Sequence, residues 1–318
     1  MSPSGNWRDH LSDLDRCKPW PRYYHFRAQE MDLVEKQCRL PQGGTMLELG
    51  CGNAFHSYLL SERFDTCIAS DLHQEDARTH TIGLERARTL ADILGFDRLQ
   101  IVAATAERLP FATGSIDFVF SSNVLEHVPD RLATVAEIYR VLRPGGMCLT
   151  IVPAAMERVY NLPVSYVRII HSIALGLREH IRQQGTSSVA DCGLPSNGGA
   201  APLRRSFLRK ALGFPARHYP GFPFPKPHGE YDSSTEEFLA HRPGQWEALF
   251  RTQPFTFRSR FTTILAPHVL GMGLSYGMAY WVARAGQPLT KLLGSRYPFR
   301  ALGTSYAMLV QRPADEAA

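Results

Sequence analysis

Five short apolar runs punctuate the first half of this chain, each bounded by turn-forming or acidic residues. Met46, Leu47 and Leu49 make the first, which stops at Gly50-Cys51-Gly52 and gives way to an amphipathic stretch. That order predicts a strand, a tight turn and a helix. Thr66 to Asp71 reads as a second strand ending in an acid, and Ile101 to Ala103 as a third. Ile116 to Ser121 is a fourth and Met147 to Val152 a fifth. Between the last two, Leu132, Val135, Ile138, Tyr139 and Leu142 recur on one helical face until Arg143-Pro144-Gly145-Gly146. Strands alternating with helices predict an α/β fold.

The first turn carries the candidate chemistry. Paired glycines let the backbone bend sharply and let a ligand approach the main chain. The helix beyond them offers free N–H groups. Glu48 stands at the strand's exit, where a carboxylate disfavours a pyrophosphate and suits an ammonium or sulfonium. A dinucleotide turn needs a third glycine for close helix packing, and Phe55 occupies that place. Asp71 follows the glycines by about twenty residues, the distance at which an acid reaches both ribose hydroxyls of a nucleoside cofactor. A turn or cap role is the plain alternative for Asp71.

Five motifs in order carry a resemblance. They are Leu47-Glu48-Leu49-Gly50-Cys51-Gly52, Ala106-Glu107-Arg108-Leu109-Pro110-Phe111, Asp117-Phe118-Val119, Leu125-Glu126-His127-Val128 and Val141-Leu142-Arg143-Pro144-Gly145-Gly146. Over residues 43–153 the chain resembles class I S-adenosylmethionine-dependent methyltransferases, in the branch of the ubiquinone and menaquinone biosynthesis enzymes. The resemblance implies a Rossmann-like seven-stranded sheet with helices on both faces, and S-adenosyl-L-methionine as cofactor. It implies that Glu48, Gly50, Cys51 and Gly52 line the methionine portion and that Asp71 holds the ribose. Ala106 and Glu107 would flank the adenine, and Ser122 and Asn123 would lie under the cofactor. Two positions depart from the pattern. Ala54 replaces a third glycine, and Thr105 replaces an aspartate, which removes a hydrogen bond to the adenine amino group.

Some similar quinone-pathway enzymes hold a divalent metal with Glu-x-x-Glu-His. Here Asn123 takes the first place, leaving Glu126 and His127. One acid and one imidazole are a poor set for a hard cation, so no metal is expected. His127 stays open as a proton-handling residue or as a helix-packing one.

Composition fits a folded enzyme. The 318 residues are 44% hydrophobic and 20% charged, with a formal net charge of +5. That charge does not indicate a nucleic-acid binder. Cys17, Cys38, Cys51, Cys67, Cys148 and Cys192 contain no C-x-x-C pair, which suits reduced thiols in the cytoplasm. Met1 to Lys18 lacks the apolar core of a secretory signal.

The domain expectations are an extension over 1–42, a cofactor-binding core over 43–153, a lid for the acceptor over 154–231 and a completion of the core over 232–318. Glu30 to Leu40 reads as a helix, either over the cleft or on the sheet's edge. The lid holds an apolar stretch from Val164 to Leu177, a Gly/Ser-rich loop, and five prolines from Pro215 to Pro227. His228, Glu230 and Tyr231 end it before a helix at Ser233 to His241, and they are candidates for a general base or acceptor contact. Phe255 to Phe261 and Ser305 to Gln311 would be the closing strand pair. An apolar insertion, 265–300, separates them. Phe261 to Ala283 carries no charged side chain, then Arg284, Lys291, Arg296 and Arg300 follow without an acid. Pro267 and three glycines weigh against a membrane span. A helix in the membrane interface, touching it through 267–300, and a helix roofing the pocket both remain open.

The expected activity is methyl transfer to a small-molecule or lipid-linked acceptor, in the cytoplasm or at the inner face of the membrane. A polysaccharide or natural-product O-methyltransferase without membrane contact is one alternative. A non-catalytic cofactor-binding module is the other.

Overall fold

The computed structural model of the protein describes residues 7–14, 23–72, 84–157, 159, 231–264 and 276–314. The segment carrying His228 and Glu230, most of the expected lid, and residues 265–275 lie outside the described residues.

Seven strands form one sheet: β1 (Thr45–Leu49), β2 (Thr66–Asp71), β3 (Leu99–Ala103), β4 (Ile116–Ser122), β5 (Leu142–Pro153), β6 (Thr256–Ile264) and β7 (Ser305–Gln311). Their order is β3-β2-β1-β4-β5-β7-β6. The first five run parallel, and β7 inserts antiparallel between β5 and β6. This is the expected Rossmann-like sheet with its closing antiparallel pair. The glycines at 145 and 146 do not form a separate turn before β5. The strand begins at Leu142 and a register irregularity absorbs them between the Ile116 and Phe118 pairings.

Alternation along the strands feeds two cores. Met46, Phe118, Phe120, Leu149 and Ile151 face one side and pack with Tyr24, Val34, Phe55 and Leu90. Those residues come from α2 (Tyr23–Gln37), α3 (Phe55–Leu60) and α4 (Leu84–Leu94). Leu47, Val119, Cys148, Val152 and Met308 face the other side. There they meet α5 (Arg131–Val141) and α7 (Pro243–Phe250) through Ile138, Trp246 and Phe250. Burying apolar surface on both faces is what holds a parallel sheet.

Local signals fix the helix ends. Asp130 caps α5 by accepting from Ala133 N–H at 2.9 Å. Ser233 caps α6 (Ser234–Ala240), accepting from Glu236 N–H at 3.1 Å. Helix α2 starts at Tyr23, about two turns earlier than the apolar pattern from Glu30 suggests. The extension before it, a short 3-10 turn (Trp7–His10) and α1 (Leu11–Leu14), packs on that same side. Trp7 and Tyr24 both meet the Phe55 ring edge-on. Helix α8 (Tyr276–Leu293) follows β6 and lies beside α2, which reaches it through Gln37 Nε2 to Lys291 O at 2.9 Å. Among the described residues, no helix is long and apolar enough to cross a membrane.

Candidate functional site

The strand order reverses between β1 and β4, whose chain neighbours lie on opposite sides. Open α/β sheets bind ligands in the crevice this creates at the strands' carboxyl ends. Here the crevice floor is Gly50, with φ of +65°. A Cβ built on it would stand 2.3 Å from Val124 Cγ2. The loops after β1 and β4 therefore touch only because this residue has no side chain. Gly52 follows at φ +54°, then Ala54 at +58°, and Asn123 at +54° on the facing loop.

Asp71 ties β2 to the turn. Its Oδ2 accepts from Gly52 N–H and its Oδ1 from Leu72 N–H, both at 2.7 Å. Burial raises its carboxyl above the ordinary aspartate range, while the two backbone N–H groups pull it down. An ionised carboxylate offers about four acceptor sites, so two remain for ribose hydroxyls. The residues present fit a nucleoside.

Glu48 has a local duty. It is buried, and Ser57 donates to its Oε2 through both N–H and Oγ–H. His56 Nδ1 stands 3.4 Å from Oε1. Ala54 gives α3 no side-chain cap, so the Glu48 carboxylate satisfies the first turn from beneath. Cys51 is buried, and burial holds its thiol well above the ordinary range. It stays neutral, and its N–H donates to Ser70 O at 2.9 Å.

The loop after β3 holds Ala106 and Glu107, both half-buried. Glu137 and Arg140 on α5 pin it. Glu137 Oε2 accepts from Leu109 N–H at 2.8 Å, and Arg140 donates to the carbonyls of Leu109 and Phe111 at 3.0 and 2.8 Å. Arg140 in turn lowers the Glu137 carboxyl. Ser122 ends β4, and Asn123 Nδ2 donates to its Oγ at 3.3 Å.

Past β4 lies a buried polar group. Glu126 is 1% exposed, and its Oε2 has no hydrogen-bond partner among the described residues. Its Oε1 is 3.9 Å from His127 Nε2. Burial pushes its carboxyl up to about 8, with Glu157 adding and Arg131 and Arg27 opposing. Arg131 donates to Leu125 O and Glu126 O at 2.9 and 3.2 Å. Its guanidinium also lies 4.9 Å from the centre of the Tyr231 ring. The Tyr231 hydroxyl is buried without a hydrogen-bond partner of good geometry among the described residues. Burial pushes it up to about 12. Tyr231 meets His241 edge-on at 5.1 Å, and His241 stacks on Trp246 at 5.6 Å.

Tyr231 and His127 thus come to one region, and sequence reasoning missed two of their neighbours. Glu126 enters there only as half of a metal pair. Arg27, which bridges Glu30 at 2.7 Å, reaches this region from α2. Its signal was present: Tyr23, Arg27 and Glu30 fall on one helical face at i, i+4 and i+7. Among the described residues, no group of three or more His, Cys, Asp or Glu could hold a metal ion.

The sequence profile of a family described as a methyltransferase domain matches residues 47–150. An uncharacterized chloroplastic methyltransferase of Arabidopsis thaliana is 28% identical over 51% of this chain and 42% of its own length. A tRNA (carboxymethyluridine(34)-5-O)-methyltransferase of Mus musculus is 31% identical over 48% of this chain and 20% of its own. A ubiquinone biosynthesis O-methyltransferase of Psychrobacter arcticus is 26% identical over 59% and 65%. The chain therefore spans less than two thirds of the length of each of these relatives.

Proposed function

We propose that this chain, whose residues 47–150 match a methyltransferase domain, is a class I S-adenosylmethionine-dependent methyltransferase related to the ubiquinone biosynthesis enzymes, and that the whole protein methylates a small-molecule or lipid-linked acceptor. The observation that carries this reading is the clasp at the crevice, where Gly50 lies bare against Val124 and Asp71 grips Gly52.

When bound, S-adenosylmethionine supplies a methyl group already made electrophilic by its sulfonium. The protein's work is then to position the acceptor and exclude water, which can contribute several kcal/mol to the barrier. Asp71 takes the ribose hydroxyls with its remaining lone pairs. Gly50, Cys51 and Gly52 present backbone to the methionine portion, and Ala106 and Glu107 border the base. Ser122 and Asn123 support the cofactor from the β4 side.

Proton handling falls to the group beyond β4. With its hydroxyl pushed up to about 12, Tyr231 stays protonated at neutral pH and serves as a donor. His127 is the candidate to receive a proton, because Glu126, its carboxyl pushed up to about 8, mostly keeps its own at neutral pH. His228 and Glu230 remain candidates from the lid. Among the described residues four cysteines are free and buried, which favours a cytoplasmic protein, and cell fractionation tests this.

The Mus musculus relative's name gives a tRNA acceptor as the competing reading. Labelled cofactor offered with lipid extract, polar small molecules and total tRNA separates the two. Label should enter one of the first two pools. Label entering tRNA alone would overturn the acceptor class, and absence of heat on titration with S-adenosylhomocysteine would remove the cofactor assignment.

A further inference from the structure

Large exposed hydrophobic side chains gather in one stretch of this protein. Trp281, Leu289, Leu292, Tyr297, Phe299 and Leu302 are 38% to 78% exposed, and they fall within 22 residues of sequence. The other described large hydrophobics with comparable exposure are Leu72, Leu132, Val159 and Leu239, each alone. Scattered apolar residues are normal on a surface, whereas a contiguous set marks an interaction site.

The arrangement on α8 is directional. At 3.6 residues per turn, Trp281, Ala285, Pro288, Leu289 and Leu292 share an arc of about 100°. Arg284 and Lys291 run along one edge of that arc, and the Arg284 guanidinium lies 5.8 Å from the Trp281 ring. The chain continues beyond the helix with Arg296, Tyr297, Phe299 and Arg300. No Asp or Glu occurs from Ala248 to Ala314.

The arc cannot rotate inward. The opposite side of α8 is tied to α2, through Gln287 Nε2 to Gln29 O at 3.3 Å and Gln37 Nε2 to Thr290 O at 3.3 Å. Its C-terminal end is tied to β6, where Thr262 N–H donates to Gly294 O at 2.9 Å. The acids of neighbouring α2 are matched: Asp32 pairs with Lys36, Glu35 with Arg63 and Glu30 with Arg27. The face therefore presents apolar bulk edged by positive charge.

We infer that this face, from Trp281 to Leu302, docks on an anionic lipid bilayer, with α8 lying in the plane of the interface. A helix with large apolar residues on one side and Lys or Arg beside them binds by burying its apolar arc among acyl chains. Its cations meet the negative surface of the leaflet. Trp281 and Tyr297 carry amphipathic rings of the kind that settle at headgroup depth. The arc continues into the exposed segment of Tyr297 and Phe299, and its apolar bulk beside unbalanced cations suits an anionic lipid surface. The inference goes beyond the acceptor reading, since vesicle binding is measured without turnover.

The test is co-sedimentation of the full chain with vesicles of phosphatidylcholine alone or mixed with phosphatidylglycerol. The protein should pellet with the mixed vesicles, and raising salt should release most of it. Leu289→Asp with Leu292→Asp, and separately Lys291→Glu with Arg296→Glu, should each cut the bound fraction at least tenfold while binding S-adenosylhomocysteine like the parent. Equal pelleting of both variants would overturn the inference. So would a soluble parent at low salt, or association into dimers that the variants abolish while vesicles stay bare. If the Asp variant fails to fold, emission decides: mixed vesicles should shift parent fluorescence to the blue, and Trp281→Phe should remove that shift. A shift that survives Trp281→Phe overturns it.

Discussion

Ala54 holds φ at +58° in the turn that begins α3. A side chain in the left-handed region costs about 1–2 kcal/mol, and a glycine there would avoid it. Glycine loses about 0.4–1 kcal/mol through unfolded-state freedom. Ala54→Gly should therefore leave stability unchanged or raise it by up to about 1.5 kcal/mol, while Ala54→Val should lower it clearly. Denaturant melts of both variants check this, and a destabilised Gly variant would count against the strain. Glu126 gives a pH test. Its carboxyl titrates at about 8 in the folded state and near ~4.3 when unfolded. Between those values the folded state keeps a proton that the unfolded state has lost. Its contribution is full below the lower value and is lost as pH rises toward 8. Glu126→Gln removes the titration. The variant should gain in melting temperature over the parent from pH 5 to pH 9, and parallel curves would show that burial does not hold the proton.

Among the elements, all seven strands were legible as short apolar runs bounded by glycine, proline or acid. Period two on a sheet buried on both faces leaves little else for such runs to be. Helix α4 was less visible. Leu84, Ala87, Leu90 and Leu94 are its buried face, but two of the intervening arginines and a glutamate make the segment read as polar. The early start of α2 was hidden because Tyr23-Tyr24-His25-Phe26 follows a proline and resembles a loop. The candidate site was legible where backbone chemistry makes it, at Gly50, Gly52 and Asp71. It was opaque where environment makes it. Glu48 finds Ser57 nine residues on, and nothing in its neighbours reveals that. Arg140 shows how one element holds another's loop. Removing its bonds to Leu109 O and Phe111 O should cost about 1–2 kcal/mol for a partly exposed charged donor. Arg140→Ala should also weaken S-adenosylhomocysteine binding several-fold, through a looser loop at Ala106 and Glu107. Calorimetry at one salt concentration measures both terms, and unchanged affinity would mean the loop is held by its own turn.

At the scale of the whole molecule, two cores meet along the sheet, and the crevice sits where neither covers the strand ends. Three chain reversals converge there, after β1, β2 and β4, and in this structure they hold one another. Gly50 rests on Val124, Asp71 on Gly52, and Asn123 N–H on Ile151 O at 2.9 Å. A ligand that bridges those reversals adds its binding energy to folding. At a hundredfold excess over its Kd it should stabilise the protein by about 2.7 kcal/mol. S-adenosylhomocysteine should therefore raise the melting temperature in a concentration-dependent way. Amide exchange should slow in the loops after β1, β2 and β4 and stay unchanged along α8. Asp71→Ala loses the tie to Gly52 and, on the proposed reading, the ribose acceptor. It should shift the half-maximal ligand concentration at least tenfold and lose the protection after β2 first. Protection spread evenly over the molecule would mean that the ligand steadies the fold as a whole, and the clasp at the crevice would lose its special place.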